Sequence, residues 1–199
     1  HSALGAGCTN VRGKVLSVTQ CSRVLEGPPL PGASSDYDGV NLLVLRDLQA
    51  ATDIWNDAET LAIMRPDEPR VFSTYVREFT LVCQERALRD APRGSCCVVG
   101  FLRRRQGMSR DEFQRAWAGG AASELKAAAI AGAVRVVHND VHVEPPPGYD
   151  YDGIAEWWFE SPERARQALG EQDLRGALPA ELAGCADLDR SIFMFTRVT

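Results

Sequence analysis

Apolar and polar positions switch between a period of two and a period of about 3.6 along this chain, and the switches mark its elements. Val11–Leu25, rich in Val, Leu, Ser and Thr, predicts a strand. Pro28, Pro29, Pro31 and Gly32 make 26–36 a loop, and Val40–Leu45 reads as the next strand. Ala50, Ala51, Ile54 and Trp55 form a helical stripe behind a capping Asp47, which Pro66–Pro69 ends. Phe79–Val82 predicts a short strand. The charged stretch after it, with Pro92 and Gly94, reads as a linker over 85–95.

The second half is patterned more sharply. Cys96–Leu102 is an apolar strand, and Ser109-Arg110-Asp111-Glu112 is a capping box opening a helix that buries Phe113, Trp117 and Leu125. Ala133–Val143 predicts a strand, 144–150 a proline loop, and Ile154–Phe159 a strand. Ser161-Pro162 starts a helix through Ala165, Ala168 and Leu169, and Ser191–Val198 is the last strand. The order is βαββαβ, the ferredoxin-like pattern.

Tyr151-Asp152-Gly153-Ile154 has a near copy in Tyr37-Asp38-Gly39-Val40, each leading into a strand. With strand, helix and strand following in both halves, the pair suggests a duplicated unit. The expected fold is α+β, with an incomplete first unit over 1–84, a linker over 85–95 and a second unit over 96–199. The first unit lacks an opening strand and helix: either the natural chain extends roughly 35–40 residues further upstream, the reading preferred here, or the first unit is itself incomplete. Asp-Gly opens each repeat because glycine tolerates backbone angles that other residues avoid.

Composition narrows the function. Of 199 residues, 45% are hydrophobic, which supplies a normal core, and the net charge of −5 argues against a nucleic-acid surface. The run Arg103-Arg104-Arg105 is too short to change that, and the longest apolar run, Ala127–Val134, is far short of a membrane span. Cys8, Cys21, Cys83, Cys96, Cys97 and Cys185 form no C-x-x-C pair. Buried thiols in a reducing cytoplasm are the expectation.

In Gly100-Phe101-Leu102-Arg103-Arg104, Gly107–Phe113, Trp117 and Tyr151–Phe159, taken in order, the chain resembles EthD-type domains of the dimeric α/β-barrel superfamily. The resemblance is closer over 96–199 than over 11–83. It implies two tandem ferredoxin-like units closing an intramolecular barrel around one cavity, work that usually takes two chains. The family carries a histidine four residues after the helix tryptophan, where this sequence has Ala121. His1, followed by Ser2-Ala3-Leu4, is either the first unit's counterpart or a leftover tag residue.

Alternation assigns faces to the strands. Ala155, Trp157 and Phe159 should face helices, leaving Asp152, Ile154, Glu156 and Trp158 toward the cavity. A carboxyl beside an indole in an apolar pocket has a raised pKa and suits a general acid or base, although an exposed, ordinary Glu156 fits the pattern too. Val134, Val136, His138, Asp140 and His142 share a face of the preceding strand. His138 is the candidate base, oriented by Asp140 or Glu156, with a structural histidine as the plain alternative. Trp158, His142, Asp152, Asp38, Gln20 and Phe193 are candidate substrate contacts. The plainer reading of Asp38 and Asp152 is the tying of turn amides, and Trp158, Phe193 and Phe195 either line the pocket or fill core. The spacing of His138, Asp140 and His142 spreads them along a strand, so no metal is expected. No phosphate loop, nucleophile elbow or dinucleotide fingerprint occurs.

Three functions follow as expectations. The first is a lyase or cyclase-type enzyme needing no cofactor, acting by acid–base chemistry on an apolar, oxygenated, aromatic polyketide-like molecule. The second is a cofactor-independent monooxygenase of the same superfamily. The third is an accessory protein that binds such a ligand without turning it over. The tandem barrel could also pair into a homodimer.

Overall fold

Cys96–Leu102 is seven apolar or small residues long, all of them buried, and a strand hidden on both faces needs such a run. It lies at the centre of the fold, which the computed structural model describes for residues 13–199. His1, Cys8 and the start of the first expected strand fall outside the described residues. In chain order the elements are β1 (Val15–Arg23), β2 (Gly39–Leu45), α1 (Leu48–Asp53), α2 (Ala58–Met64), α3 (Glu68–Val71), β3 (Cys83–Arg89) and β4 (Cys96–Leu102). Then follow α4 (Arg110–Ile130), β5 (Arg135–Val141), β6 (Gly153–Phe159), α5 (Pro162–Leu169), α6 (Leu174–Ala177), α7 (Ala180–Cys185) and β7 (Ile192–Val198). The class is α+β, with a seven-stranded sheet in the order β2-β1-β7-β4-β6-β5-β3. Every pairing between β1 and β7, β4 and β7, β4 and β6, β5 and β6, and β3 and β5 is antiparallel.

The chain divides into two compact units. The larger holds residues 20–40, 83–142 and 151–199, and contains the βαββαβ order expected of the second half. Its helix α4 begins at the capping box, with Glu112 N–H donating to Ser109 Oγ and Ser109 N–H donating back to Glu112 Oε2. Gly132, at φ +77°, follows the last turn of α4 in the left-handed conformation that ends helices. Phe113, Trp117, Gly120, Glu124 and Ala128 are the buried positions of α4, one stripe at helical spacing. That stripe packs with Cys96, Val98, Leu102, Val136, Ala155, Trp157, Phe159, Phe193 and Phe195 in the principal core. Ala155, Trp157 and Phe159 therefore face helices, as alternation requires. Phe193 and Phe195 fill this core, and Leu125 packs partly against it.

The first part of the expected linker, up to Arg89, is a strand. β3 runs through it and pairs with β5 from Cys83↔Val141 to Arg89↔Val136, with an irregularity between Ala87 and Arg89. The expected strand at Phe79–Val82 does not form; the strand starts at Cys83 instead. The reason lies in the edge position. A polar strand is stable there when neighbours take up its charges. Arg86 bonds both Asp140 oxygens at 3.1 and 3.2 Å, and Glu85 meets Arg135 at 3.2 Å.

The smaller unit holds residues 1–19, 41–82 and 143–150. Asp47 caps α1 by accepting from Ala50 N–H at 2.7 Å, and Asp57 caps α2 through Glu59 and Thr60. Phe72, Phe79 and Tyr149 make a short aromatic chain with ring centres 5.4 and 6.2 Å apart.

Candidate functional site

His138 and Glu156 stand on opposite faces of the sheet. His138 is paired across the strands with Ala155, and both share the helix face; Glu156 is paired with Val137 and Val99 on the other. The expected partnership between this histidine and this glutamate is therefore not formed. Asp140 does not orient His138 either, because its carboxylate is held by Arg86.

His138 has a different partner. Its Nε2 is 2.6 Å from Oε2 of Glu124, and both side chains are 0% exposed. The second Glu124 oxygen accepts from Trp157 Nε1–H at 2.8 Å. The Trp117 ring stacks on the imidazole, 4.0 Å between centroids and 22° between planes. Trp117 and Glu124 are two turns apart on α4, so one helix supplies both the stacking ring and the carboxyl. A glutamate at a core position of an apolar stripe is the sequence signal for this contact.

Glu156 is 2% exposed. Asn139 Nδ2–H donates to its Oε1 at 2.7 Å and Trp158 Nε1–H to its Oε2 at 2.8 Å. Burial pushes its pKa up and the nearby charge of Glu85 adds to that, while the Trp158 and Asn139 hydrogen bonds and Arg93 hold it back in part. Cys97 stands beside Trp158 and Thr196 on neighbouring strands, and Cys21 bonds Thr196. Burial, then the charge of Glu156, raises Cys97 well above the usual thiol range and Cys21 to about 11. These thiols are protonated at neutral pH and are not nucleophiles.

At the other end of this face the two repeats meet. The hydroxyls of Tyr37 and Tyr151 are 3.0 Å apart, and Phe101 lies 6.1 and 5.3 Å from their rings. Burial, then the bond to Tyr37, raises the Tyr151 pKa beyond the normal phenol range. Arg103 caps the Tyr151 ring at 4.1 Å.

The two repeat aspartates differ. Asp152 is 1% exposed and accepts from Arg104 N–H at 2.9 Å, from the Arg104 guanidinium and from Arg110 Nε at 3.3 Å, tying the start of β6 to the end of β4 and the start of α4. Asp38 is 98% exposed and pairs across the surface with Arg23 at 3.0 Å. His142 is exposed beside the proline loop, and Gln20 is half-buried, its carbonyl accepting from Thr199 N–H. Trp158 is buried beside Glu156. Among the described residues no group of three or more His, Cys, Asp and Glu side chains converges as a metal site, and no helix is long and apolar enough to cross a membrane.

Neither Gly39 nor Gly153 has a positive φ. Gly153 is required for space: a Cβ there would sit 2.1 Å from Cζ3 of Trp117. Gly39 likewise lies against the Cys21 carbonyl, 2.6 Å from where a Cβ would be.

No curated protein and no solved structure matches the chain. Residues 105–188 match the family model described as the EthD domain. That span runs from the turn before α4 through β5, β6 and the helices after it, and it includes Glu124, His138 and Glu156; the second half of the chain carries an EthD-type domain.

Proposed function

We propose that the protein is a lyase or cyclase-type enzyme that needs no cofactor, with Glu156 moving a proton on an apolar, oxygenated, aromatic polyketide-like molecule. The observation that carries this reading is the Glu156 carboxyl itself: 2% exposed, raised in pKa, and fixed by Asn139 and Trp158. A buried carboxyl whose pKa is raised above the ordinary range can donate a proton to a developing leaving group or take one from a carbon acid. Tyr151, kept protonated beside Tyr37, supplies a hydroxyl for a substrate oxygen. His138 takes no part in the chemistry, because its partner and its face are elsewhere.

A tandem barrel fits the strand pairing. First-half strands extend both edges of the second-half sheet, β1 on β7 and β3 on β5. Free thiols at Cys21, Cys83, Cys96, Cys97 and Cys185 fit a reducing compartment. The accessory-protein reading has one observation of its own: Ala121 stands at the helix position where a histidine is expected, and His138 is engaged by Glu124.

The test is turnover of a panel of phenolic polyketide-like compounds by the native chain and by Glu156→Gln. A loss of about 10²–10⁴-fold in kcat with the fold intact supports the proton role. Ligand binding with no turnover in the native chain selects the accessory protein, and unchanged turnover in Glu156→Gln removes the mechanism.

A further inference from the structure

Arg93 lies four residues beyond β3, and its charge reaches Glu156, whose pKa it lowers, without a direct contact. Among the described residues none ion-pairs with it or hydrogen-bonds to it, and its Nε is buried without a partner. Its guanidinium carbon lies 5.5 Å from the centre of the Trp158 ring, and that same indole donates to Glu156. The residue is half-buried, with only Nε shut off from solvent, so the two terminal nitrogens of the fork stay open to an anion arriving from outside.

The nearby carboxylates are already engaged. Glu85 and Asp90 both belong to Arg135. Glu156 has each oxygen taken, by Asn139 and by Trp158. Among the described residues Arg93 is thus a cation with no acid in direct contact, on the sheet face that carries Glu156. A guanidinium over an indole face keeps its N–H fork free to donate in its own plane. A planar carboxylate is the group that fits such a fork.

We infer that Arg93 anchors the carboxylate of an aromatic acid, so that the molecule on which Glu156 acts is an anion and not a neutral phenol. The inference rests on the reading of Glu156 as the site's proton carrier, and it adds the substrate class. The carboxylate would be fixed beyond the edge of Trp158, leaving the ring of the acid to lie along the apolar side chains flanking Glu156.

The test is calorimetric titration of the full chain with 2,4-dihydroxybenzoate and with resorcinol, which differ only in the carboxylate. The native protein is expected to bind the acid about tenfold or more tightly than the neutral compound. Arg93→Met should bind the two alike, at the native affinity for resorcinol. Arg93→Lys should keep only part of the preference, having charge without the planar fork. Equal binding by the native protein, no binding of either probe, or a preference undiminished in Arg93→Met overturns the inference. If Arg93→Met does not fold, the Arg93→Lys result decides. Glu156→Gln in the same titration separates the two proposals: a retained preference for the acid alongside unchanged turnover removes the proton role of Glu156 and leaves the anchor.

Discussion

Glu124 and His138 are buried together, 2.6 Å apart, in the core between α4 and the sheet. This changes what a histidine substitution reports. Removing one member of a buried pair leaves the other unsatisfied, at a cost of about 3–5 kcal/mol, whereas replacing both with apolar groups of similar size is often neutral. His138→Ala and Glu124→Ala should each lower unfolding stability by that order in urea denaturation. The double variant Glu124→Leu/His138→Phe should recover most of it. Turnover per folded molecule should be unchanged in the double variant; a loss there would return His138 to the chemistry.

Glu156 should leave a signature in the pH dependence of stability. Its folded pKa is raised above the ordinary value of 4.5 by burial. The folded state therefore holds the proton more tightly than the unfolded chain does. This contribution is complete below the unfolded pKa and is lost as pH rises from there through the raised folded pKa. Glu156→Gln keeps a neutral side chain of the same shape and has nothing to lose. In thermal melts across that window, native Tm should fall relative to that of Glu156→Gln as pH increases; parallel curves would refute the raised pKa.

The second half was legible because its local signals agree with its packing. The capping box, the Phe113–Trp117 stripe and the alternation through Trp157 and Trp158 all point one way. β3 was illegible because composition cannot tell a charged edge strand from a linker; only Asp140 and Arg135 on the neighbouring strand make Arg86 and Glu85 strand residues. Period two gave the faces of β6 correctly, yet it cannot relate the parity of one strand to that of the next. That takes the register, and the register separates His138 from Glu156. Arg93 was missed for a similar reason: an arginine is informative only once the acids around it are seen to be occupied.

Gly153 carries a prediction about shape. A methyl group at that position would fall 2.1 Å from the Trp117 ring, which is itself stacked on His138. Trp117 is wholly buried and cannot step aside without disturbing the imidazole. Gly153→Ala should cost about 1–3 kcal/mol or more through overpacking. The near-ultraviolet circular dichroism of the tryptophans should change with it. Gly107→Ala tests a different mechanism: nothing lies within 4 Å of its Cβ position, but φ is +86°, so its cost is backbone strain and should leave the tryptophan signal alone.

The repeated aspartates should respond in opposite ways to the same change. Asp152→Ala strips the buried acceptor from Arg104 N–H and from two guanidinium groups at once. Arg104 is 38% exposed and water can partly replace its partner, which places the loss nearer about 2–3 kcal/mol than the full cost of breaking a buried pair. Asp38→Ala removes a pair that solvent already screens and should leave the melting temperature where it is. Salt separates them further: raising ionic strength should weaken whatever Asp38 contributes and leave the Asp152 effect nearly unchanged, since exposed pairs are screened far more than buried ones. Equal sensitivity of the two positions would mean that the second Tyr-Asp-Gly turn is no more embedded than the first, and the asymmetry between the repeats would then lie in Glu156 alone.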